Sequence, residues 1–185
     1  EEFLKRMYRI RLGRELNLEN PVTYTEKLQW LKLYDHRDVY TTMVDKYAVK
    51  AYVAQRIGEE HVIPLLGVWE RVEDIDFDAL PDQFVLKTTH DSGGIVICKD
   101  KATLDVPAAR RKLGYFLKRR YYDHNREWPY KNVTPRIIAE AYMEDSKCGE
   151  LRDYKFFTFG GVPKVLYIAS IIVGLLVLAL CTWGS

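Results

Sequence analysis

Phe84-Val85-Leu86-Lys87-Thr88-Thr89-His90-Asp91-Ser92-Gly93-Gly94-Ile95-Val96-Ile97-Cys98-Lys99-Asp100 is the stretch on which the reading of this chain turns. Phe84-Val85-Leu86 is β-prone and ends on Lys87. Asp91, Ser92, Gly93 and Gly94 favour turns over a continued strand. Ile95-Val96-Ile97-Cys98 is a second β run, closed by Lys99 and Asp100. The pattern predicts a hairpin that sets an ammonium at a strand end beside a loop rich in backbone N–H groups. Glycine lets such a backbone approach a ligand with no Cβ in the way, so the loop reads as a phosphate cradle. The same residues also fit an ordinary hairpin with an exposed lysine. They are not a P-loop, which ends in Gly-Lys-Ser/Thr and enters a helix, nor a dinucleotide fingerprint, because here the glycines are adjacent and a strand follows. Ser92 lacks the flanking glycines of a nucleophile elbow.

Around this hairpin the composition is that of a folded globular protein. The chain has 185 residues, 48% hydrophobic and 29% charged, enough for one sizeable core or two small subdomains. A net charge of +2 gives no argument for nucleic acid. Lys118-Arg119-Arg120 beside Tyr121-Tyr122 reads instead as the solvated end of a helix, where the dipole favours cations. Cys98, Cys148 and Cys181 lack metal-type spacing and imply a reducing compartment. The four histidines, His36, His61, His90 and His124, show no paired spacing, so no zinc site is expected. His90, in the glycine loop, has ligand contact or simple exposure as its two readings. No signal peptide opens the sequence, and Glu1 in place of an initiator Met suggests a truncated start.

Along the chain, Leu4 to Leu16 reads as a basic amphipathic helix broken by Asn20-Pro21. Thr23 followed by Glu26 is a capping box for a helix over Tyr24 to Tyr34, with Leu28, Leu31 and Tyr34 on one face. A further helix is predicted from Tyr40 to Ile57, with Val44, Tyr47, Ala48, Ala51 and Ile57 inward and Gly58 as a left-handed C-cap. Val62 to Trp69 is β-like, interrupted by Pro64, and Asp74 to Pro81 is a turn-rich link. Asp105 caps a helix with Pro107 in its first turn, where Ala109, Leu113, Phe116 and Leu117 form a stripe. Arg136 to Met143 and Asp153 to Phe159 read as strands, the latter turned by Gly160-Gly161 into Pro163 to Ile168. The sum is an α+β fold with an antiparallel sheet. Alternation sets Asp153, Lys155 and Phe157 on one strand face. A partly buried Lys155 needs a partner, either a nucleotide phosphate or a carboxylate of the chain itself.

Several of these segments resemble, in order, the TupA-like ATP-grasp family of bacterial cell-surface polysaccharide loci. They are Thr23 to Tyr34, Val44-Asp45-Lys46-Tyr47-Ala48-Val49-Lys50, Ile63 to Trp69, Phe84 to Asp100, Arg126-Glu127-Trp128-Pro129-Tyr130-Lys131-Asn132 and Asp153-Tyr154-Lys155-Phe156-Phe157. The resemblance implies ATP phosphates on Lys46 and Lys87, under a flexible lid made by Ser92-Gly93-Gly94. It implies an adenine hinge at Ala141 to Met143, with Glu140 accepting from the adenine amino group. Asp153 takes the place of a ribose-binding acid, and Lys155 adds charge near the phosphates. The implied activity is a carboxylate–amine ligase working through an acylphosphate with ATP and Mg²⁺, the other substrates being an unidentified carboxylate and an amine or sugar acceptor. A glycosyltransferase and a non-catalytic scaffold are the alternatives. The former wants an acidic metal motif, and Asp74-Ile75-Asp76, extended to Asp78, is the one acidic run that offers it.

The resemblance fades after Lys164. The metal-binding acids of an ATP-grasp enzyme belong further on, so the chain as written is expected to bind no metal and to be catalytically inactive, with its catalytic residues unknown. Val165 to Trp183 carries no charge, a length of about 19 residues that suits a membrane span of roughly 17–25. An anchor over 169–183, an aberrant end and a buried core element all fit that run. For the anchor, the positive-inside rule puts the folded part in the cytoplasm. The expected organisation is a helical region over 1–80, a nucleotide-binding subdomain over 81–168 and a hydrophobic tail over 169–185.

Overall fold

The computed structural model describes residues 1–144 and 151–171. Its first helix, α1 (Glu2–Leu12), stops at Gly13, whose left-handed backbone (φ 66°, ψ 17°) lets its N–H bond the Arg9 carbonyl at 2.9 Å. The expected run to Leu16 is therefore cut short by that glycine, well before Pro21. Helix α2 (Tyr24–Tyr34) opens on the capping box predicted from Thr23 and Glu26. Glu26 Oε2 accepts from the N–H groups of Val22 and Thr23, at 3.1 and 2.8 Å. Tyr34 is exposed rather than inward.

The single helix expected over 40–57 is two: α3 (Asp38–Val44) and α4 (Ala48–Ile57). Asp45 makes the break. Its extended backbone closes α3 through an N–H bond to Thr41, and its carboxylate accepts from the Tyr47 N–H at 2.9 Å. The Lys46 N–H then leaves the helix altogether and bonds the Thr89 carbonyl at 3.2 Å. A tertiary bond thus overrides a continuous helical pattern, and Ile57 and Tyr47 end exposed. Gly58 does end α4 at positive φ (102°), but with ψ at 151° it is in extended mirror-image backbone, not a left-handed cap.

Strand β1 (Leu65–Trp69) begins just after Pro64. The hairpin β2 (Phe84–Thr88) and β3 (Ile95–Cys98) forms as predicted, with Lys87 opposite Ile95 and Phe84 opposite Cys98. Helix α5 (Val106–Leu117) starts at Asp105, whose Oδ1 accepts from the Ala108 N–H at 2.8 Å. After the short helix α6 (Tyr122–Asn125), strand β4 (Ile137–Ala141) slots between β1 and β2, shorter at both ends than Arg136 to Met143. The sheet order is β1-β4-β2-β3, antiparallel throughout. Its strands come from both sides of residue 80.

Register assigns the two faces. Phe84, Leu86 and Thr88 oppose Ala141, Ala139 and Ile137, so they share one face. That face meets Ala109 and Leu113 of α5 together with Ile75, Phe77 and Leu80, and it is the main core. Val85 opposes Glu140 and Lys87 opposes Ile138, so Lys87 and Glu140 are diagonal neighbours on the other face. A smaller cluster of Leu4, Tyr8, Leu16 and Leu18 holds the N-terminal helices.

The last described strands, β5 (Leu151–Phe159) and β6 (Val162–Ile171), pair among the described residues only with each other, as a separate two-stranded sheet. The single sheet expected from the sequence is therefore two. Residues 169–171 are strand, paired with 151–153, so no membrane helix starts at Ala169. The remainder of the proposed span, and Cys148 and Cys181, lie outside the described residues. Among the described residues no helix is long and apolar enough to cross a membrane.

Candidate functional site

The helix break, the hairpin and β4 bring their charged residues to the wall of one cavity of about 380 Å³. Lys46, Lys50, Lys87, Asp91, Ser92, Gly94 and Glu140 line it, beside apolar Val44, Val49, Val62, Ile63 and Ile95 and the ring of Tyr130. Of the residues singled out in the sequence, Lys46, Lys87, Ser92, Gly94 and Glu140 are thus brought together, and Gly93 sits within the same turn. The hinge residues are elsewhere. Ala141 lines a shallower groove with Leu66, Gln83, Lys99 and Tyr142, and the Met143 side chain is half exposed. Lys155, on β5, has its ammonium 5.9 Å from the Tyr167 ring centre and does not line the cavity. Asp153 pairs with Ala169 across the last hairpin; its side chain, and with it the ribose role, lies outside the described residues.

Glu140 is the centre of the sheet wall. Lys50 Nζ lies 2.5 Å from Oε1 and Lys87 Nζ 2.7 Å from Oε2, and none of the three side chains is more than 14% exposed. Burial by itself would raise the Glu140 pKa. The charge of Lys87 and the hydrogen bonds from Lys50 and Lys87 outweigh it and hold the carboxyl below its usual range. Both oxygens therefore face ammonium groups, where the resemblance implied that Glu140 would accept from an adenine amino group. Lys50 also donates to the Ile63 carbonyl at 2.7 Å.

Lys46 packs against the glycine loop. Its ammonium donates to the Thr88 carbonyl at 3.0 Å and to the Asp91 carbonyl. Burial dominates its electrostatics and lowers its pKa from 10.5 to about 8, with Asp91 opposing and Lys87 reinforcing the shift. Just before it, Asp45 is buried beside Arg136, and burial raises its pKa against the bonds from the Tyr47 and Ala48 N–H groups.

The loop itself differs from the expected lid. Asp91 Oδ1 accepts from the Thr88 hydroxyl at 2.7 Å and from the N–H groups of Gly93 and Gly94 at 3.1 and 3.0 Å. Two of the N–H groups expected to cradle phosphate are therefore taken up by the loop's own carboxylate. A Cβ on Gly93 would lie 2.3 Å from the Phe116 ring, and one on Gly94 would lie 2.0 Å from Thr88 Oγ1. The glycines permit the loop to pack on α5 while Gly94 also lines the cavity, and the turn is braced. Ser92 is exposed at its tip, facing the cavity. His90 is buried behind the loop, its Nε2 donating to the Arg119 carbonyl at 2.9 Å, which gives it a structural role in place of either expected one.

Lys50, Asp91 and Tyr130 are site residues that sequence reasoning does not single out. Lys50 had a signal, since it follows Lys46 by four residues and so repeats its helical face. Asp91 had one as well, because Asp two and three residues before paired glycines suits a side chain that caps its own turn. Tyr130 had none beyond its presence in a segment resembling the family. The acidic run at Asp74 serves the chain's own geometry: Ile75 is in the core, and Asp76 Oδ1 accepts from the N–H groups of Asp78 and Ala79.

A family model described as TupA-like ATPgrasp matches residues 26–172, which is more than half of the chain. The chain belongs to the TupA-like ATP-grasp family. No curated protein and no solved structure matches it. ATP-grasp proteins in general bind ATP with Mg²⁺. The cavity of this ATP-grasp-like protein has a volume typical of ligand pockets, roughly 300–1,000 Å³, and sets three ammonium groups and three carboxylates, those of Asp91, Glu127 and Glu140, beside an apolar wall. Lys46, held by carbonyl oxygens, is the ammonium best placed to take a phosphate. The metal is a different matter: among the described residues no group of three His, Cys, Asp or Glu gathers to hold an ion.

Proposed function

We propose that this cavity binds ATP, with the phosphates on Lys46 and Lys87 and with Ser92 at the edge of the site. The observation that carries the reading is the meeting of Lys46, Lys50 and Lys87 at one buried wall, brought there by segments far apart in sequence. Glu140 is the recipient for Lys50 and Lys87, whereas the buried Lys46 ammonium meets carbonyl oxygens. A buried ammonium is costly without an anionic recipient, and a phosphate would supply one. Among the described residues Lys46 donates only to carbonyl oxygens, so an incoming phosphate offers it a stronger, charge-assisted acceptor.

The chemistry we infer for the ligase whose nucleotide-binding part this chain supplies is ligation; the chain as written is expected to bind ATP without completing it. A carboxylate oxygen of the first substrate attacks the γ-phosphorus of ATP, and the bond to the β,γ-bridging oxygen breaks, releasing ADP. An amine then attacks the acyl carbon of the acylphosphate and expels phosphate, leaving an amide and giving up a proton. In such transfers Mg²⁺ supplies charge neutralisation at the phosphoryl oxygens. The lysines here orient and neutralise the phosphates, and the braced loop excludes water from one side. Assembly of bacterial cell-surface polysaccharide in the cytoplasm is the setting this reading favours.

Titration calorimetry with ATP tests it. Lys87→Met, which keeps the length of the side chain and removes its charge, should weaken ATP by at least about tenfold, or 1.4 kcal/mol. Equal affinity in wild type and variant would remove the proposal, as would a wild type that binds no ATP.

A further inference from the structure

The fold places one carboxylate, Glu140, between two ammoniums at the wall where phosphates are proposed to bind, and one of those ammoniums is enough to neutralise its charge. Lys50 Nζ reaches Oε1 and Lys87 Nζ reaches Oε2. Lys50 comes from the first turn of α4 and is fixed a second time by the Ile63 carbonyl, in the segment that leads into β1. Lys87 comes from the end of β2, next to the glycine loop. We infer that Lys50 is a positioning residue: by holding Glu140 it keeps the charge of Lys87 available to the phosphates of the ligand.

The balance of charge at the wall supports this role. Lys46 and Lys87 face Asp91 and Glu140, two of each sign, and Glu127 also lines the cavity. Without Lys50 the balance of these groups is negative, and the Glu140–Lys87 pair closes on itself. An ammonium locked to a single buried carboxylate has to break that pair before it can meet a phosphate, and buried pairs resist separation. With Lys50 present, Glu140 already has a partner after Lys87 turns to the ligand. Lys50 thus acts through Glu140 and not by touching the nucleotide. The inference rests on the nucleotide reading of the cavity and adds to it a residue with no phosphate contact of its own.

The test is a double-mutant cycle on Lys50 and Glu140, read by ATP affinity and, without any ligand, by NMR titration of the Glu140 carboxyl. Lys50→Met should weaken ATP by about tenfold while leaving adenosine binding unchanged. Lys50→Arg keeps a charge at the position and should remain within about threefold of wild type. In a Glu140→Gln background the wall regains its overall charge when Lys50→Met is added, so that second change should cost less than about threefold. The ligand-free titration should show the Glu140 carboxyl pKa rising in Lys50→Met. The double variant contains no uncompensated carboxylate at this position, so a large loss in it would expose a direct contact or a structural prop even where the single variant folds poorly.

Lys50→Met binding ATP as wild type does would overturn the inference while leaving the nucleotide reading intact. The same loss in both backgrounds would overturn it too, since it would make Lys50 a direct contact or a structural prop, and so would a Glu140 titration that fails to move. A wild type that binds no ATP defeats the nucleotide reading, and the phosphate role of Lys50 falls with it.

Discussion

Lys46 sits where three demands meet: it leads into α4, it donates its backbone N–H to Thr89, and its ammonium is turned into the glycine loop. Burial holds its pKa at about 8, below the ordinary 10.5. The folded state therefore favours the neutral amine, and the cost of keeping the charge buried is present in full below pH 8. Between pH 8 and 10.5 the unfolded chain binds more protons than the folded one at this site, so the Lys46 contribution to stability rises with pH across that window. Phosphate binding reverses the preference, because it favours the ammonium. ATP binding near pH 8 to 9 should then take up protons, and affinity should fall as pH rises through that range. Calorimetry in buffers of different ionisation enthalpy reads the uptake directly. Lys46→Arg, whose guanidinium stays charged, should abolish it. Proton release on binding, or no proton exchange in wild type, would contradict this account.

The hairpin is the most legible element and the helix break the least, and the difference is one of local against tertiary bonding. Turn residues, a lysine and two β runs are local signals, and β2 and β3 pair as those signals predict. The capping box at Thr23 and the Asp105 cap are legible for the same reason. The break at Asp45 depends on a bond from Lys46 to Thr89, 43 residues away, which periodicity cannot register. The glycines mark a turn, as expected, and they also serve a packing that the sequence does not show, against the Phe116 ring from α5. Gly94→Ala tests that packing. Its Cβ would stand 2.0 Å from Thr88 Oγ1 and 2.8 Å from the Phe116 Cβ, both firmly held. The expected loss is about 1–3 kcal/mol in urea unfolding, as for other overpacked sites. An alanine variant of wild-type stability would show the loop free to shift, and so would restore the lid.

At the scale of the molecule the two sheets rest on different physics. The family and the α+β class are legible in the sequence, and five residues it singles out do gather at one cavity; the split of the sheet is not legible. Nothing in the alternation of Asp153, Lys155 and Phe157 with Tyr154 and Phe156 tells whether their strand joins β3 or β1, or neither. In the four-stranded sheet, Phe84, Leu86, Ile137, Ile138 and Ala139 are wholly out of solvent. In the hairpin of β5 and β6, Tyr154, Phe156, Val165, Tyr167 and Ile168 are all at least half exposed. Large apolar side chains left in water give a two-stranded ribbon little to hold it, and such ribbons are marginal by themselves. Exchange of amide hydrogens should therefore separate the two parts. The amides of β2 and β4 should open only with global unfolding, whereas those of β5 and β6 should exchange through local opening at much lower free energy. ATP at about 100 times its dissociation constant should add about 2.7 kcal/mol to the protection of the four-stranded sheet, whose residues hold the proposed site. It should leave β5 and β6 unchanged, since neither Lys155 nor any other described residue of that hairpin lines the cavity. Equal protection in both sheets, or ligand-induced protection centred on β5, would mean that the hairpin belongs to the nucleotide site, and would return Lys155 to it.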